Sequence, residues 1–507
     1  MCGILGIASQ SDPVFPELYD GLIMLQHRGQ DASGMVTHDG EFFRERKANG
    51  LVKDVFRAED AAVLQGRIGI GHCRYPTAGS LSAAEAQPFF VNAPYGITLV
   101  HNGNITNTAE QRAKVKGKYQ RHLRTDSDSE ILLNVLADKI ADAIKAGTED
   151  PKESVFAGVK MTMERVQGAY SCIALVDGVG MLAFRDPNGI RPLSVAKRDS
   201  DLFGDDYAFA SEDVAFGING FAKIRDLAPG EAVLIDLDGH MHSHQCVTGE
   251  LTPCIFEYVY LARPDSLLDG ISVYKTQMRM GETLARQIEA AIAGGMEIDA
   301  IMPVPDSARP VALEVAKRVG VTYREGLVKN RYVGRTFIMA GQGQRQRSVR
   351  RKLNAIPLEF KGKSVLLIDD SIVRGNTIKK IVQMCREAGA QRVYVASASP
   401  PVIYPNVYGI DMPTKRELIA DGRSIEDIRE ELGCDGLFYQ KLDDLIWAAQ
   451  EGNPAISRFD CSCFDGHYVT GSVSSAYLDG LDASERVVEK MDAEPASAWN
   501  RERLAQA

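Results

Sequence analysis

Nowhere in the 507 residues do apolar side chains run for the roughly 18 positions that a membrane span requires, so the sequence argues against a transmembrane protein. Positive charge is also in short supply. Lys and Arg number 58 against 68 Asp and Glu, and the net charge of −10 speaks against a nucleic-acid binder. Cysteine is sparse: nine residues, an odd number at irregular spacing, which argues against a disulfide framework and suits a reducing cytoplasm. Internal repeats and low-complexity tracts are missing, and no apolar signal segment precedes Cys2. What remains is 45% hydrophobic and 25% charged, an ordinary globular composition in a chain long enough for two large domains with separate cores.

The most informative stretch is 365–377, Val-Leu-Leu-Ile-Asp-Asp-Ser-Ile-Val-Arg-Gly-Asn-Thr. Val365 to Ile368 read as a buried strand, which Asp369 and Asp370 end. A short loop through Ser371, Arg374, Gly375 and Asn376 then reaches Thr377, where a helical pattern begins. A strand feeding a helix in this way presents backbone N–H groups and the positive helix end to an anion. Open parallel sheets bind ligands at the carboxyl ends of their strands. Carboxylates there accept sugar hydroxyls or hold a divalent cation, and the amides suit a phosphate, so together they describe a pocket for a phosphorylated ribose. The plainer alternative is an ordinary strand–turn–helix with a solvated acidic turn. The segment resembles the phosphoribosyl pyrophosphate signature of type I phosphoribosyltransferases.

The opening, Met-Cys-Gly-Ile-Leu-Gly, offers a second chemistry. Trimming of Met1 would leave Cys2 with a thiol nucleophile and, in its α-amino group of pKa near ~8, a base. Behind it come Leu25–Asp31 (Leu-Gln-His-Arg-Gly-Gln-Asp), Gly71–Thr77 (Gly-His-Cys-Arg-Tyr-Pro-Thr), His101–Asn104 (His-Asn-Gly-Asn) and Ser127–Glu130 (Ser-Asp-Ser-Glu). In that order they resemble class II glutamine amidotransferase domains of the N-terminal-nucleophile family. The resemblance implies that Cys2 attacks the glutamine amide carbon while Asn102 and the Gly103 N–H hold the oxyanion. It also places Arg28, Arg74 and Asp128 around the substrate, with Arg74 on the α-carboxylate and Asp128 on the α-ammonium.

With both modules, residues 2–480 resemble the amidophosphoribosyltransferase family, which forms 5-phosphoribosylamine at the start of purine synthesis. That resemblance implies glutamine and phosphoribosyl pyrophosphate as substrates, purine nucleotides as feedback inhibitors, one Mg²⁺ per subunit and a homotetramer. It implies no nucleic-acid or membrane partner. Pro303-Val-Pro-Asp-Ser-Ala-Arg-Pro matches the pyrophosphate-contacting loop, which would set Ser307 with Asp369 and Asp370 around the metal. Members with an iron–sulfur cluster carry a propeptide and a C-x-x-C. Here Cys2 follows Met1, Cys461-Ser-Cys463 is one residue short, and Asn406 stands where such relatives have a cysteine, so no cluster is expected. Two other classes fit less well: a purine-responsive DNA regulator, for which neither terminus supplies a basic or winged-helix element, and a sugar-phosphate aminating synthase, which Asp369-Asp370 argues against.

Between Lys329 and Lys352 stand eight Lys/Arg residues and no Asp or Glu. A solvated charged loop is the plainer reading; as a lid, this long basic loop would fold over the pyrophosphate through residues such as Lys329, Arg331 and Arg335, and the resemblance implies that its closure builds an ammonia channel from the glutaminase site. The coarse pattern gives an α+β unit, an αββα sandwich over 2–235, from short alternating strands interrupted by helices. A connector over 236–254 follows. Strand–helix alternation over 255–470 implies an α/β unit with a parallel sheet, and 471–507 forms a helical or disordered tail. His240-Met-His-Ser-His244 reads as an exposed hairpin rather than a metal site.

Overall fold

The computed structural model describes residues 2–75, 83–199, 204–330, 353–412 and 414–481. Arg331, Arg335, the rest of the basic segment to Lys352, Thr77 and the tail beyond Leu481 lie outside these.

In the first half, the central strands are buried on both sides because each is covered twice, while the edge strands are not. Along Gly3–Ala8, Ile4 and Ala8 enter one apolar cluster while Leu5 and Ile7 enter another. This strand lies at the centre of a seven-stranded antiparallel sheet. The order is Ala222–Asp226, Ser194–Arg198, Asp206–Ala210, Gly3–Ala8, Ile68–Arg74, Ala32–His38, Phe43–Asn49. A second antiparallel sheet runs Met241–Gln245, Glu231–Asp236, Gly180–Arg185, Gly168–Val176, Ile97–Ile105, Phe89–Val91. The sheets share a core that includes Ile4, Ile173, Met181 and Phe209. Helix Phe15–Met24 covers the outer face of the first sheet through Leu18 and Leu22. Helices Asp128–Lys145 and Pro151–Met163 cover the second. The expected αββα layering is therefore present.

One boundary differs from expectation. Residues 241–245, placed in the connector 236–254, pair with Glu231–Asp236 as an edge strand of the second sheet. The exposed hairpin expected at 240–244 is therefore present, but as an edge strand it is half solvated, and Met-His-Ser-His-Gln lacks the apolar alternation that would have tied it to the sandwich.

The second half carries a four-stranded, wholly parallel sheet in the order Ala300–Pro303, Ser364–Asp369, Arg392–Ser397, Gly436–Tyr439. Val365 and Leu367 pack on one side with Phe360, Ile378 and Ile381; Leu366 and Ile368 pack on the other with Met280, Leu284 and Val311. All four strand residues are fully buried, each worth roughly 1.5–3 kcal/mol in transfer from water. This core fixes the strand end at which Asp369 and Asp370 stand.

Buried ion pairs centred on two arginines lock the halves together. Arg185 donates from Nη1 and Nη2 to both oxygens of Asp269, at 2.7 and 2.9 Å, and its other donors reach the carbonyls of Gly189, Arg191 and Leu227. Arg28 donates to Glu212 and, at 2.7 Å, to Glu257.

Candidate active site

Cys2 enters the first strand of the sandwich, and its backbone N–H donates to Asn102 Oδ1 at 3.2 Å. Its thiol lies 3.6 Å from the Tyr75 carbonyl. Asn102 sits inside the strand Ile97–Ile105 rather than in a turn, opposite Ser171. With Oδ1 turned to Cys2, its buried Nδ2 finds no hydrogen-bond partner among the described residues. An unsatisfied buried donor costs about 1–3 kcal/mol, so the site is built to receive an acceptor there. Gly103 has φ +147, and a Cβ on it would fall 2.0 Å from the Ala169 carbonyl oxygen. Only glycine fits.

Asp128 opens the helix Asp128–Lys145, whose N-cap Ser127 accepts from the Ser129 N–H. One carboxylate oxygen of Asp128 accepts from the Ile105 N–H at 3.2 Å and the other from Ser129 Oγ at 3.3 Å. Strand and helix end are thereby joined beside Asn102. Arg74, at the end of Ile68–Arg74, is buried and pairs with Glu85 at 2.6 Å. A guanidinium has five N–H donors and can serve a second carboxylate beside Glu85. Arg28 differs from these two, since its guanidinium is engaged with Glu212 and Glu257 at the joint between the halves.

Burial, with Arg74 adding to it, pushes the His72 imidazole down to about 3 from an ordinary 6.5. Its folded value therefore lies below its unfolded one. The unfolded chain takes up a proton below pH 6.5 that the native state refuses. The associated stability is complete above that pH and falls by ~1.4 kcal/mol per unit as pH drops toward the folded value. His72→Gln should flatten this slope in urea denaturation measured near neutrality and at about pH 5; an unchanged slope would show that His72 charges freely in the native protein.

In the second half, Asp369, Asp370, Ser371, Arg374, Gly375, Asn376 and Thr377 line a single cavity of ≈ 560 Å³. Asn376 and Thr377 begin the helix Asn376–Glu387, as the sequence pattern requires. Ser307 and Ser371 donate to Asp370, the latter at 2.7 Å. Burial raises both carboxyl groups, and for Asp369 the neighbouring Asp370 raises it further. Neither has an ion-pair partner among the described residues. Two uncompensated carboxylates with a serine hydroxyl beside them fit a hard divalent cation, which takes few protein oxygens and completes its shell with water and phosphate. Lys329 is not among the residues that line the cavity; it pairs with Asp306 at 3.1 Å. Arg374 is held by Glu417 at 2.8 Å and Asp411 at 3.4 Å. Three His and carboxylate groups also come together at Asp236, Asp238 and His240 in the other half, where Asp236 is already engaged with His242 at 2.7 Å.

The cavity is also walled by His27, Arg28 and Tyr75 of the first half, and by Ile410, Asp411 and Met412. Tyr75 Oη donates to Asp411 at 3.3 Å. One residue thus meets the thiol through its carbonyl and also walls the cavity. Glu85 and Asp411 lie outside every motif, and the Gly71–Thr77 motif that holds Tyr75 does not name its partner; the contacts join positions up to 336 apart in the chain.

Comparison with known proteins matches residues 72–217 to the glutamine amidotransferase domain family and 273–399 to the phosphoribosyl transferase domain family. The chain is 55% identical over 483 residues to the amidophosphoribosyltransferase of Pasteurella multocida, covering 95% of each. It is 54% identical over 484 residues to that of Escherichia coli, again covering 95% of each. The Saccharomyces cerevisiae enzyme of the same name is 49% identical over 490 residues, at 95% of each. Among solved structures, the glutamine phosphoribosylpyrophosphate amidotransferase of B. subtilis, complexed with ADP and GMP, superposes with a TM-score of 0.80 at 35% identity, covering 92% of this chain and 97% of that one.

Proposed function

The chain belongs to the amidophosphoribosyltransferase family, and from that premise we propose how its residues divide the work of the reaction. That reaction is the glutamine-dependent amidation of 5-phosphoribosyl 1-pyrophosphate in purine biosynthesis, a pentosyl transfer with a glutamine amidotransferase domain. The Cys2 thiol adds to the glutamine amide carbon, and the α-amino group that loss of Met1 frees takes and returns the proton. Asn102 Nδ2 and the Gly103 N–H receive the oxyanion, a contribution of about 3–4 kcal/mol for one such donor in other enzymes. Arg74 and Asp128 hold the two ends of the amino acid, while Arg28 serves as the strut between the halves.

Asp369, Asp370 and Ser307 would hold Mg²⁺, which when bound neutralises the pyrophosphate leaving group. Ser371 and the 374–377 turn cradle the ribose phosphate at the start of its helix. The observation that carries the reading is the shared cavity: the loop that binds the phosphorylated ribose and the Tyr75 segment beside Cys2 wall the same space. Ammonia then passes from one site to the other without meeting water. The basic gate proposed for this passage, with Arg331 and Arg335, falls outside the described residues, and Lys329 marks its start. A purine nucleotide carries the same ribose 5-phosphate and would compete in the cavity, the basis for feedback inhibition. Homotetramer assembly belongs to the same family reading. A cluster-free form is supported by Asn406, whose Oδ1 is occupied by two backbone N–H groups. Nine free, buried thiols suit a cytoplasmic setting.

Glutamate release measured with and without phosphoribosyl pyrophosphate tests the coupling. Occupation of the cavity should raise glutaminase by about fivefold or more; equal rates would refute the shared-space reading.

A further inference from the structure

The segment 405–412 belongs to the second half yet reaches into the first. Asn104, on the strand that carries Asn102 and Gly103, donates from Nδ2 to the Val407 carbonyl at 2.8 Å. Gly409, at φ +104, lies against Gly103 itself. A Cβ at 409 would fall 2.9 Å from the carbonyl carbon and oxygen of Gly103 and 3.0 Å from its Cα. Gly103 is therefore gripped from two sides, by Ala169 on the neighbouring strand and by Gly409 from the other half.

What keeps Gly409 in place is Asn406. Its Oδ1 accepts from the Tyr408 N–H at 2.9 Å and from the Ile410 N–H at 3.2 Å, straddling position 409. Its own N–H donates to the Met412 carbonyl at 3.0 Å, which closes the loop at its base. The Asn406 side chain is buried, and Tyr408 is anchored through its hydroxyl to Thr470 at 2.8 Å. The bracket is rigid where it meets Gly103.

We propose that Asn406 is a positioning residue of the glutaminase half-reaction. By bracketing 408–410 it sets Gly409 against Gly103 and so fixes the direction in which the Gly103 N–H points. Hydrogen bonds weaken steeply with misalignment, and a preorganised donor acts only if it is aimed where charge develops. The inference rests on the assignment of Gly103 as an oxyanion donor.

The test compares Asn406→Ala, Asn406→Asp and Asn102→Ala in the full-length enzyme, with glutamine and with ammonia, at saturating phosphoribosyl pyrophosphate. For Asn406→Ala the kcat of glutamine hydrolysis should fall about tenfold, with KM for glutamine within about twofold and the ammonia-dependent rate within about threefold. Asn406→Asp keeps an acceptor for both N–H groups and should restore kcat. A loss shared equally by glutamine and ammonia, a rise in KM without loss of kcat, or no rescue by Asp would each overturn the proposal. If Asn406→Ala does not accumulate as folded protein, Gly409→Ala presses a methyl group on Gly103 and should give the same split; an unchanged kcat there overturns it as well. Asn102→Ala separates the layers. Full kcat in that variant removes the oxyanion assignment and this inference with it, whereas loss there beside an unaffected Asn406→Ala removes the inference alone.

Discussion

Cys2→Ala should lose glutamine-dependent phosphoribosylamine formation by about 10⁴-fold or more while keeping ammonia-dependent synthesis close to the parent rate. The size follows from the chemistry, since the Cys2 thiol is the attacking group and its removal leaves no thiol to take its place. The neighbouring Cys73 cannot substitute, because burial pushes its thiol far up. Removal of Sγ deletes little volume, and Asn102 retains the backbone N–H of residue 2, so the fold and the distant cavity survive. Rates with both nitrogen sources, measured on one preparation, decide it. A variant that still released glutamate from glutamine would refute the assignment of the nucleophile.

Asp369→Asn and Asp370→Asn should produce the opposite split. Each exchange conserves shape and removes one charge from a pair with no cationic partner among the described residues. Use of phosphoribosyl pyrophosphate should drop about 10²–10³-fold with glutamine and with ammonia alike, and the Mg²⁺ concentration needed for half-maximal rate should rise. Basal glutamine hydrolysis should persist, because Cys2, Asn102 and Asp128 belong to the other half. Loss confined to glutamine hydrolysis would place these carboxylates in the wrong site. For Asp370 the effect includes its hydroxyl partners, Ser307 and Ser371, so Asp369 gives the cleaner measure.

Much of this was legible in the chain because the chemistry is local there. The run 365–377 contains its strand, its carboxylates and its helix start, and all of the residues assigned to the phosphoribosyl pocket from that run do line one cavity. The alternation of apolar residues gave the layering of both halves for the same reason. Other parts were not legible. The exposed hairpin at 240–244 was legible, but its membership of the sandwich was not, because the solvated edge strand Met241–Gln245 carries no apolar alternation. Arg28 sits in one of the glutaminase sequence blocks, Leu25–Asp31, yet its partners Glu212 and Glu257 are set by tertiary packing across 184 and 229 residues. The Gly103–Gly409 contact joins two glycines, the residues that leave the faintest trace in an apolar pattern, because each contributes only the absence of a side chain.

The Arg185–Asp269 pair bears on how such an enzyme could be recombined. Each charge is buried and each comes from a different half, so a chimera that grafts a foreign glutaminase unit onto this transferase inherits one without its counter-ion. An orphaned buried charge costs about 3–5 kcal/mol, a large part of the 5–15 kcal/mol that holds a typical domain together. Exchange of modules within this architecture is therefore constrained to variants that move Arg185 and Asp269 as a unit, or that replace both by apolar residues at once.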